Sequence, residues 1–535
     1  MELNQKKEMK NSSTLTKILQ LFSIVFILSS CSNENKNENT NDSNQENTQN
    51  EQPNILLIYM DDLGYGDLNA YGGVDLETPN MDRLAEGGVK FTDGYATSAT
   101  CTPSRFGILT GMYPWRSKDA KILAGSAPLL IDTKQMTLPK MLKSQGYETG
   151  IVGKWHLGLG LGNVDWNSHI SPGPNELGFD YSYIMAATQD RVPTVYIKNG
   201  DVVNLHPDDP IEVRYGKNFD GQPTGRDNPE LLRMMWHHGH NSSIVNGIPR
   251  LGYMKGGHTA RWNDETMSDT FLMEAEDFIK RKKDNPFFLY YAMQQPHVPR
   301  TPSPRFVGKS GMGPRGDVIL EADWNVGQIL KLLEEEGILE NTLIVFSSDN
   351  GPVLNDGYYD DAVEKLGNHK PAGPFRGGKY SLFEAGTRVP FITYWEGKIQ
   401  PKVSNALVSQ VDLLTSLAKL VGSDVQGKDS KDLLDVFLGK SDLGREELII
   451  EATTRTALRK GNWVMIPPYD GVEKIKQVDI ETGNSDEFQL YNLNEDMEQQ
   501  KNMAKQYPDT LNAMIKAFEN IRGKEYSKIE KPVFK

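Results

Sequence analysis

The chain has 535 residues, 38% hydrophobic and 24% charged, the make-up of a soluble globular protein too long for one small core. Its 58 Lys and Arg against 72 Asp and Glu leave a formal charge of −14 at pH 7. That balance excludes the basic footprint of a nucleic-acid binder, and it requires local cations wherever an anionic substrate is to be held.

Lys6, Lys7, Lys10 and Lys17 precede an apolar run from Ile18 to Leu28, too short for a comfortable membrane span and suited to the core of a signal peptide. The run ends in Leu28-Ser29-Ser30-Cys31, which resembles a bacterial lipoprotein signal, whose Cys becomes the lipidated first residue of the mature chain. The following residues, through Gln52, include no apolar side chain and cannot bury a core. We therefore expect a signal segment over 1–30 and a disordered tether over 31–52. A lipid anchor on Cys31 would then hold the protein to a membrane of the bacterial cell envelope, on its periplasmic or surface face. Of the two cysteines, Cys101 is then left without a disulfide partner, so it is either buried and inert or it is used.

Folding signals begin at Pro53. Asn54 to Met60 is a nearly continuous apolar run of the kind found in a parallel strand covered on both faces, and it leads into Asp61-Asp62. Thr78-Pro79-Asn80 opens a helix that runs through Glu86 and closes at Gly87-Gly88. In Cys101-Thr102-Pro103-Ser104-Arg105, Pro103 predicts a helix start. Such a position can lower a thiol's pKa or hold an anion, and it is equally the place of an ordinary buried Cys. A helix over Leu138 to Gln145 precedes a strand over Glu148 to Val152, which delivers Gly153-Lys154-Trp155-His156. Residues 160–265 are rich in loops, which shape a binding site or elaborate the surface.

Asp269 to Lys280 reads as an amphipathic helix and Pro286 to Tyr291 as a strand that leads to Pro296-His297. A long helix is predicted over Asp317 to Glu336. The apolar run Thr342 to Phe346 ends in Ser347-Ser348-Asp349-Asn350-Gly351. Two buried strands that finish in carboxylate or amide oxygens predict a shared site at the carboxyl edge of a sheet. That donor set favours a hard cation, Ca2+ or Mg2+, over zinc; taken singly, each pair also suits a helix cap or an Asx turn. Arg376-Gly377-Gly378-Lys379 places a lysine in a Gly-rich loop. From about residue 441 the texture changes to short strands over Glu447 to Ala452, Ala457 to Ile466 and Phe488 to Leu493, then a helix over Asp509 to Ile521. The expected fold class is α/β: a large mixed, mostly parallel sheet sandwiched by helices over 53–440, with a smaller antiparallel α+β subdomain over 441–535.

Cys101-Thr102-Pro103-Ser104-Arg105 with Leu109-Thr110-Gly111, the run Asp61 to Asp67, Gly153-Lys154-Trp155-His156, Pro296-His297, Asp349-Asn350-Gly351 and Arg376-Gly377-Gly378-Lys379 occur in a fixed order. Together they resemble the formylglycine-dependent (type I) sulfatases of the alkaline-phosphatase superfamily, from Pro53 to the C-terminus. One departure is Glu384-Ala385-Gly386, where these enzymes often carry Glu-Gly-Gly.

The resemblance implies that a maturase oxidises Cys101 to formylglycine, whose hydrate attacks sulfur with one hydroxyl and expels sulfate with the other. It implies one Ca2+ held by Asp61, Asp62, Asp349, Asn350 and the modified Cys101. Arg105 would orient the diol, and Lys154 and Lys379 would neutralise the sulfate oxygens. His297 would contact the sulfate and help protonate the departing alcohol, with Lys379 as competitor, and His156 would take the proton when sulfate is released. The likeness is greatest to bacterial arylsulfatase and N-acetylgalactosamine-6-sulfatase types, which implies a sulfated saccharide substrate carrying galactose or N-acetylgalactosamine. Asp190, Arg191, His240 and Arg315 have side chains suited to sugar recognition and are the substrate-binding candidates. Two other readings stand beside this one: a phosphomonoester or phosphonate hydrolase of the same superfamily, and a non-catalytic glycan-binding lipoprotein.

Overall fold

The computed structural model describes residues 52–524. The signal segment, Cys31 and the tether up to Glu51 lie outside the described residues.

The strand Asn54–Asp61 is buried along its whole length, because it is apolar on both faces. Strand periodicity sends Ile55, Leu57 and Tyr59 into one core and Leu56, Ile58 and Met60 into the other. The first core is closed by the helices Cys101–Thr110, Leu138–Ser144 and Leu413–Leu420, the second by Pro79–Gly87, Met267–Lys282 and Gly313–Glu335. This is a sheet sandwiched between two helical layers.

The sheet has ten strands, in the order Lys402–Ser404, Val89–Phe91, Phe391–Tyr394, Thr342–Ser348, Asn54–Asp61, Phe287–Pro296, Glu148–Lys154, Tyr181–Met185, Tyr196–Lys198 and Asp201–Val202. Adjacent strands from Thr342–Ser348 through Tyr181–Met185 pair in parallel. Their carboxyl ends therefore lie along one edge, where a parallel sheet places its ligands. Tyr181–Met185 falls within the stretch read as loops; its five residues are buried on both faces and carry no polar alternation to mark a strand.

A four-stranded antiparallel sheet, Glu447–Ala452, Arg455–Lys460, Trp463–Ile466 and Gln489–Asn492, forms with the helix Pro508–Arg522 a further core that includes Tyr95, Ala99, Leu382 and Phe383. The predicted single strand Ala457 to Ile466 is two strands. Lys460 faces Trp463 across a turn whose Gly461 has φ 56°, a hairpin that the Gly-Asn pair encodes. Among the described residues, no helix is long and apolar enough to cross a membrane.

Arg315 was expected at the substrate, and the structure corrects this. It is 1% exposed, on the long helix Gly313–Glu335, and binds Asp67 through both terminal nitrogens at 2.8 and 2.7 Å. Asp67 also accepts from His369 Nε2 at 2.8 Å and from the Gly64 N–H at 2.7 Å. Arg315 thus anchors the turn that follows Asp61-Asp62 and does not line the pocket. Burial raises the Asp67 carboxyl, but Arg315 and His369 outweigh it and bring it to about 2. With its folded value below the unfolded one, Asp67 contributes stability that is complete above about pH 4 and lost as pH falls towards about 2. Asp67→Asn should cost about 3 kcal/mol at pH 7 in urea unfolding, with the gap to the unsubstituted protein closing below about pH 4.

Candidate active site

Four of the parallel strands deliver side chains to one point. Asn54–Asp61 ends in Asp61-Asp62, Thr342–Ser348 runs into Asp349-Asn350, Glu148–Lys154 ends in Lys154 before His156, and Phe287–Pro296 precedes His297. All seven are buried. Glycine is required beside two of them. A Cβ on Gly351 would stand 1.6 Å from the Ala385 carbonyl oxygen, and one on Gly153, at φ 113°, would stand 1.9 Å from that of Ala292.

Each buried carboxylate is met by a buried cation. Lys154 Nζ binds both oxygens of Asp61 at 2.7 Å, Arg105 Nη2 binds Asp349 at 2.8 Å, and Lys379 Nζ binds Asp62 at 2.9 Å and Asp356 at 2.8 Å. Asn350 donates to Asp62 at 2.7 Å, which leaves its Oδ1 buried without a hydrogen-bond partner. Burial pushes the Asp61 carboxyl above its usual range, despite the opposing pull of Lys154. Asp61, Asp62 and His297 offer ligand atoms within 4.8 Å of one another. An unpaired amide oxygen beside clustered carboxylates is an oxygen-rich donor set that fits a hard divalent cation.

Cys101 is the first residue of the helix Cys101–Thr110 and is 2% exposed. Burial pushes its thiol up, and Lys154 and Lys379 offset only part of this. Of the two readings of this position, the buried neutral Cys is the one that fits the unmodified thiol. Thr102 donates to the His156 carbonyl at 2.9 Å, which ties the first helical turn to the end of the neighbouring strand.

The two histidines differ in the nitrogen left free. His156 Nε2 lies 2.9 Å from the Leu123 carbonyl and so carries the proton, leaving Nδ1 as a buried lone pair without a partner. His297 Nδ1 lies 2.7 Å from the Val298 carbonyl, which leaves Nε2 directed to the site, 3.9 Å from Asp62. Burial and the charge of Lys154 lower both imidazoles, with Lys379 lowering His297 further, so both are neutral as they stand. Burial lowers the Lys379 ammonium, but Asp356 and Asp62 outweigh it and hold the ammonium well above its usual value. Asp62, His156 and Tyr380 have φ of 66°, 54° and 75°, left-handed conformations that non-glycine residues adopt at some cost and that concentrate at functional sites.

Above this floor is a small pocket lined by Cys101, Asp190, Arg191, His240, His297 and Asp356, together with Lys379 and Tyr380. Three of the four predicted substrate residues, Asp190, Arg191 and His240, are brought to it, and Arg315 is not. Asp356, Tyr380 and Gln410 did not emerge from the sequence. For Asp356 the available signal was the turn tripeptide Asn355-Asp356-Gly357; buried Gln410 has no local signal.

A nucleophile position, neutral bases, paired cations and a hard-cation donor set on such a sheet edge suit a hydrolase of anionic esters such as sulfates or phosphates. Residues 53–423 match the sulfatase family, and the chain belongs to it. It is 46% identical over 520 residues to the N-acetylgalactosamine-6-O-sulfatase of Bacteroides thetaiotaomicron, a match that covers 96% of this chain and 100% of that one. It is 33% identical over 402 residues to human arylsulfatase A, covering 74% of this chain and 70% of that relative. A solved Bacteroides thetaiotaomicron sulfatase, described with the metabolism of multiple glycosaminoglycans, superposes with TM-score 0.87 at 48% identity over 88% of this chain and 99% of that one. A phosphonate monoester hydrolase of Agrobacterium radiobacter, 16% identical with TM-score 0.53 over 88% of this chain and 95% of that one, shares the fold.

Gln410 couples the parts of the floor. Its Nε2 donates to Ser347 Oγ at 2.8 Å and to the Ser348 carbonyl at 2.7 Å, and its Oε1 accepts from Tyr59 at 2.5 Å and Ser104 at 3.4 Å. Gln410→Leu removes all four of these buried hydrogen bonds and should cost about 3 kcal/mol in chemical unfolding.

Proposed function

We propose that this sulfatase removes the 6-O-sulfate from galactose or N-acetylgalactosamine units of sulfated glycans, using a formylglycine made from Cys101 and one Ca2+. The observation that carries the reading is Cys101 at a buried helix start, in one pocket with Lys379, His297, Arg191 and Asp190. The names of similar proteins support the sugar and the position of its sulfate.

Asp61, Asp62, Asp349 and Asn350 would hold Ca2+, which when bound polarises a sulfate oxygen. The hydrated formylglycine supplies two hydroxyls, one to attack sulfur and one to give up its proton as sulfate leaves. Arg105 holds Asp349 and contributes positive charge beneath the nucleophile position. Lys154 and Lys379 offset charge that builds on the sulfate oxygens. Lys379, protonated as it stands, competes with His297 to give a proton to the departing sugar oxygen. His297 donates there only after gaining a proton on Nε2, which an arriving sulfate favours. His156 accepts the second hydroxyl's proton at its free Nδ1.

Upstream, the leader and Cys31 support a lipid-anchored protein of the bacterial cell envelope, and the maturase acts in the host that makes it. Incorporation of a labelled fatty acid that Cys31→Ser abolishes would establish the anchor.

Mass spectrometry of the Cys101 peptide, from protein co-produced with a maturase, should find the aldehyde or its hydrate. Cys101→Ala should lower turnover of N-acetylgalactosamine 6-sulfate by about 1000-fold or more. An unmodified thiol in active protein, with Cys101→Ala equally active, would overturn the mechanism. Chelation should abolish turnover and lower the unfolding temperature, and added Ca2+ should restore both.

A further inference from the structure

The wall of the pocket differs from its floor. Its arginine and its lysine, Arg191 and Lys379, are each bound to a carboxylate that lines the same pocket. Arg191 Nη1 lies 3.1 Å from Asp190, and Lys379 Nζ lies 2.8 Å from Asp356. The second Asp190 oxygen accepts from His240 Nε2 at 2.7 Å, and the second Asp356 oxygen accepts from the Tyr380 hydroxyl at 3.2 Å.

Asp356 cannot easily swing away. The next residue's carbonyl, that of Gly357, accepts the His237 N–H at 2.8 Å, and the Tyr359 N–H donates to the Met235 carbonyl at 2.9 Å. Tyr358 donates to the Pro249 carbonyl at 2.6 Å. A Cβ on Gly357, at φ 112°, would stand 1.8 Å from His240 Nδ1, so the loop lies directly against the histidine that Asp190 holds. The two carboxylates thus line one small pocket.

We propose that the pocket accepts a single sulfate, and that Asp356, together with Asp190, bars sugars that carry a second sulfate close to the one removed. This deepens the substrate reading above and rests on it. The sulfate being cleaved is received on the floor by Lys154, Lys379 and the cation site. A neighbouring hydroxyl or acetamido N–H can donate to Asp190 or Asp356, whose ionised oxygens accept hydrogen bonds and cannot give them. A neighbouring sulfate would instead face those anions, whose charge already offsets that of the nearest cations, Arg191 and Lys379. The consequence is an order of reactions: on a doubly sulfated residue, hydrolysis of the neighbouring ester by another enzyme must come first.

The test compares three sugars on the mature protein: N-acetylgalactosamine 6-sulfate, its 4-O-methyl ether and its 4,6-disulfate. The ether should be cut within about 10-fold of the parent and the disulfate about 100-fold less well, and Asp356→Asn should narrow the latter ratio by about 10-fold whatever its absolute rate. Calorimetric binding to Cys101→Ala and to the Cys101→Ala, Asp356→Asn double variant should give the same order of affinities, independently of turnover. Disulfate cleaved within about threefold of the parent would overturn the proposal, as would an ether rejected as strongly as the disulfate, since crowding would then suffice. A ratio that Asp356→Asn changes in neither turnover nor binding would also overturn it. Failure to cut the monosulfated sugar, with turnover of an aryl sulfate intact, would count against the substrate reading alone. The charge filter would then be read from an aryl monosulfate and its ortho-disulfate.

Discussion

Three carboxylates with no access to water are the constraint on which this structure depends. Asp61, Asp62 and Asp349 lie where an unpaired carboxylate costs several kcal/mol, and each is held by a buried cation, Lys154, Lys379 or Arg105. Such pairs add little net stability, because desolvation consumes most of the attraction. What they add is position. The cations come from a strand end, a Gly-rich loop and a helix, so all three must reach the same level of the sheet before any carboxylate is satisfied. The left-handed backbone of Asp62, His156 and Tyr380 is tolerated because these contacts over-determine it.

The same arrangement divides the labour of catalysis. Asp356 and Asp62 hold Lys379 charged, while burial keeps His156 and His297 neutral, helped by Lys154 at both and by Lys379 at His297. Bases and charge carriers are thereby separated within a few ångströms, which is how one site can both stabilise an anion and move protons. Cys101, on a helix buried from end to end, has neither the exposure nor the acidity of a free thiol nucleophile. Its environment suits a residue whose reactivity comes from chemical modification. Above the floor, cations already paired with Asp190 and Asp356 make the wall a reader of hydroxyls more than a receiver of anions.

Much of the fold was legible from hydrophobic pattern. The strands from Asn54 and Thr342 are continuous apolar runs bounded by polar residues, the helix from Met267 announces itself by periodicity, and those from Pro79 and Gly313 carry Pro in the first turn. What escaped was short or compensated. Tyr181–Met185 has no alternation because both its faces are covered, and the hairpin at Gly461 was hidden because its two-residue turn interrupts the run of strand-forming residues only briefly.

The sequence by itself determined the chemical inventory of the site. Paired oxygen donors after two buried strands, a cysteine before Pro103, and Lys154, His156, His297 and Lys379 at element ends or in a Gly-rich loop can all be read without coordinates, because strand ends and helix starts are local signals. Only the tertiary structure decided which cation meets which carboxylate, that Arg315 serves Asp67 and not a sugar, and that Asp356 and Gln410 belong to the site. Those contacts join residues up to 351 positions apart, as Tyr59 and Gln410 are. They depend on the spatial order of the strands, and no local pattern encodes that order.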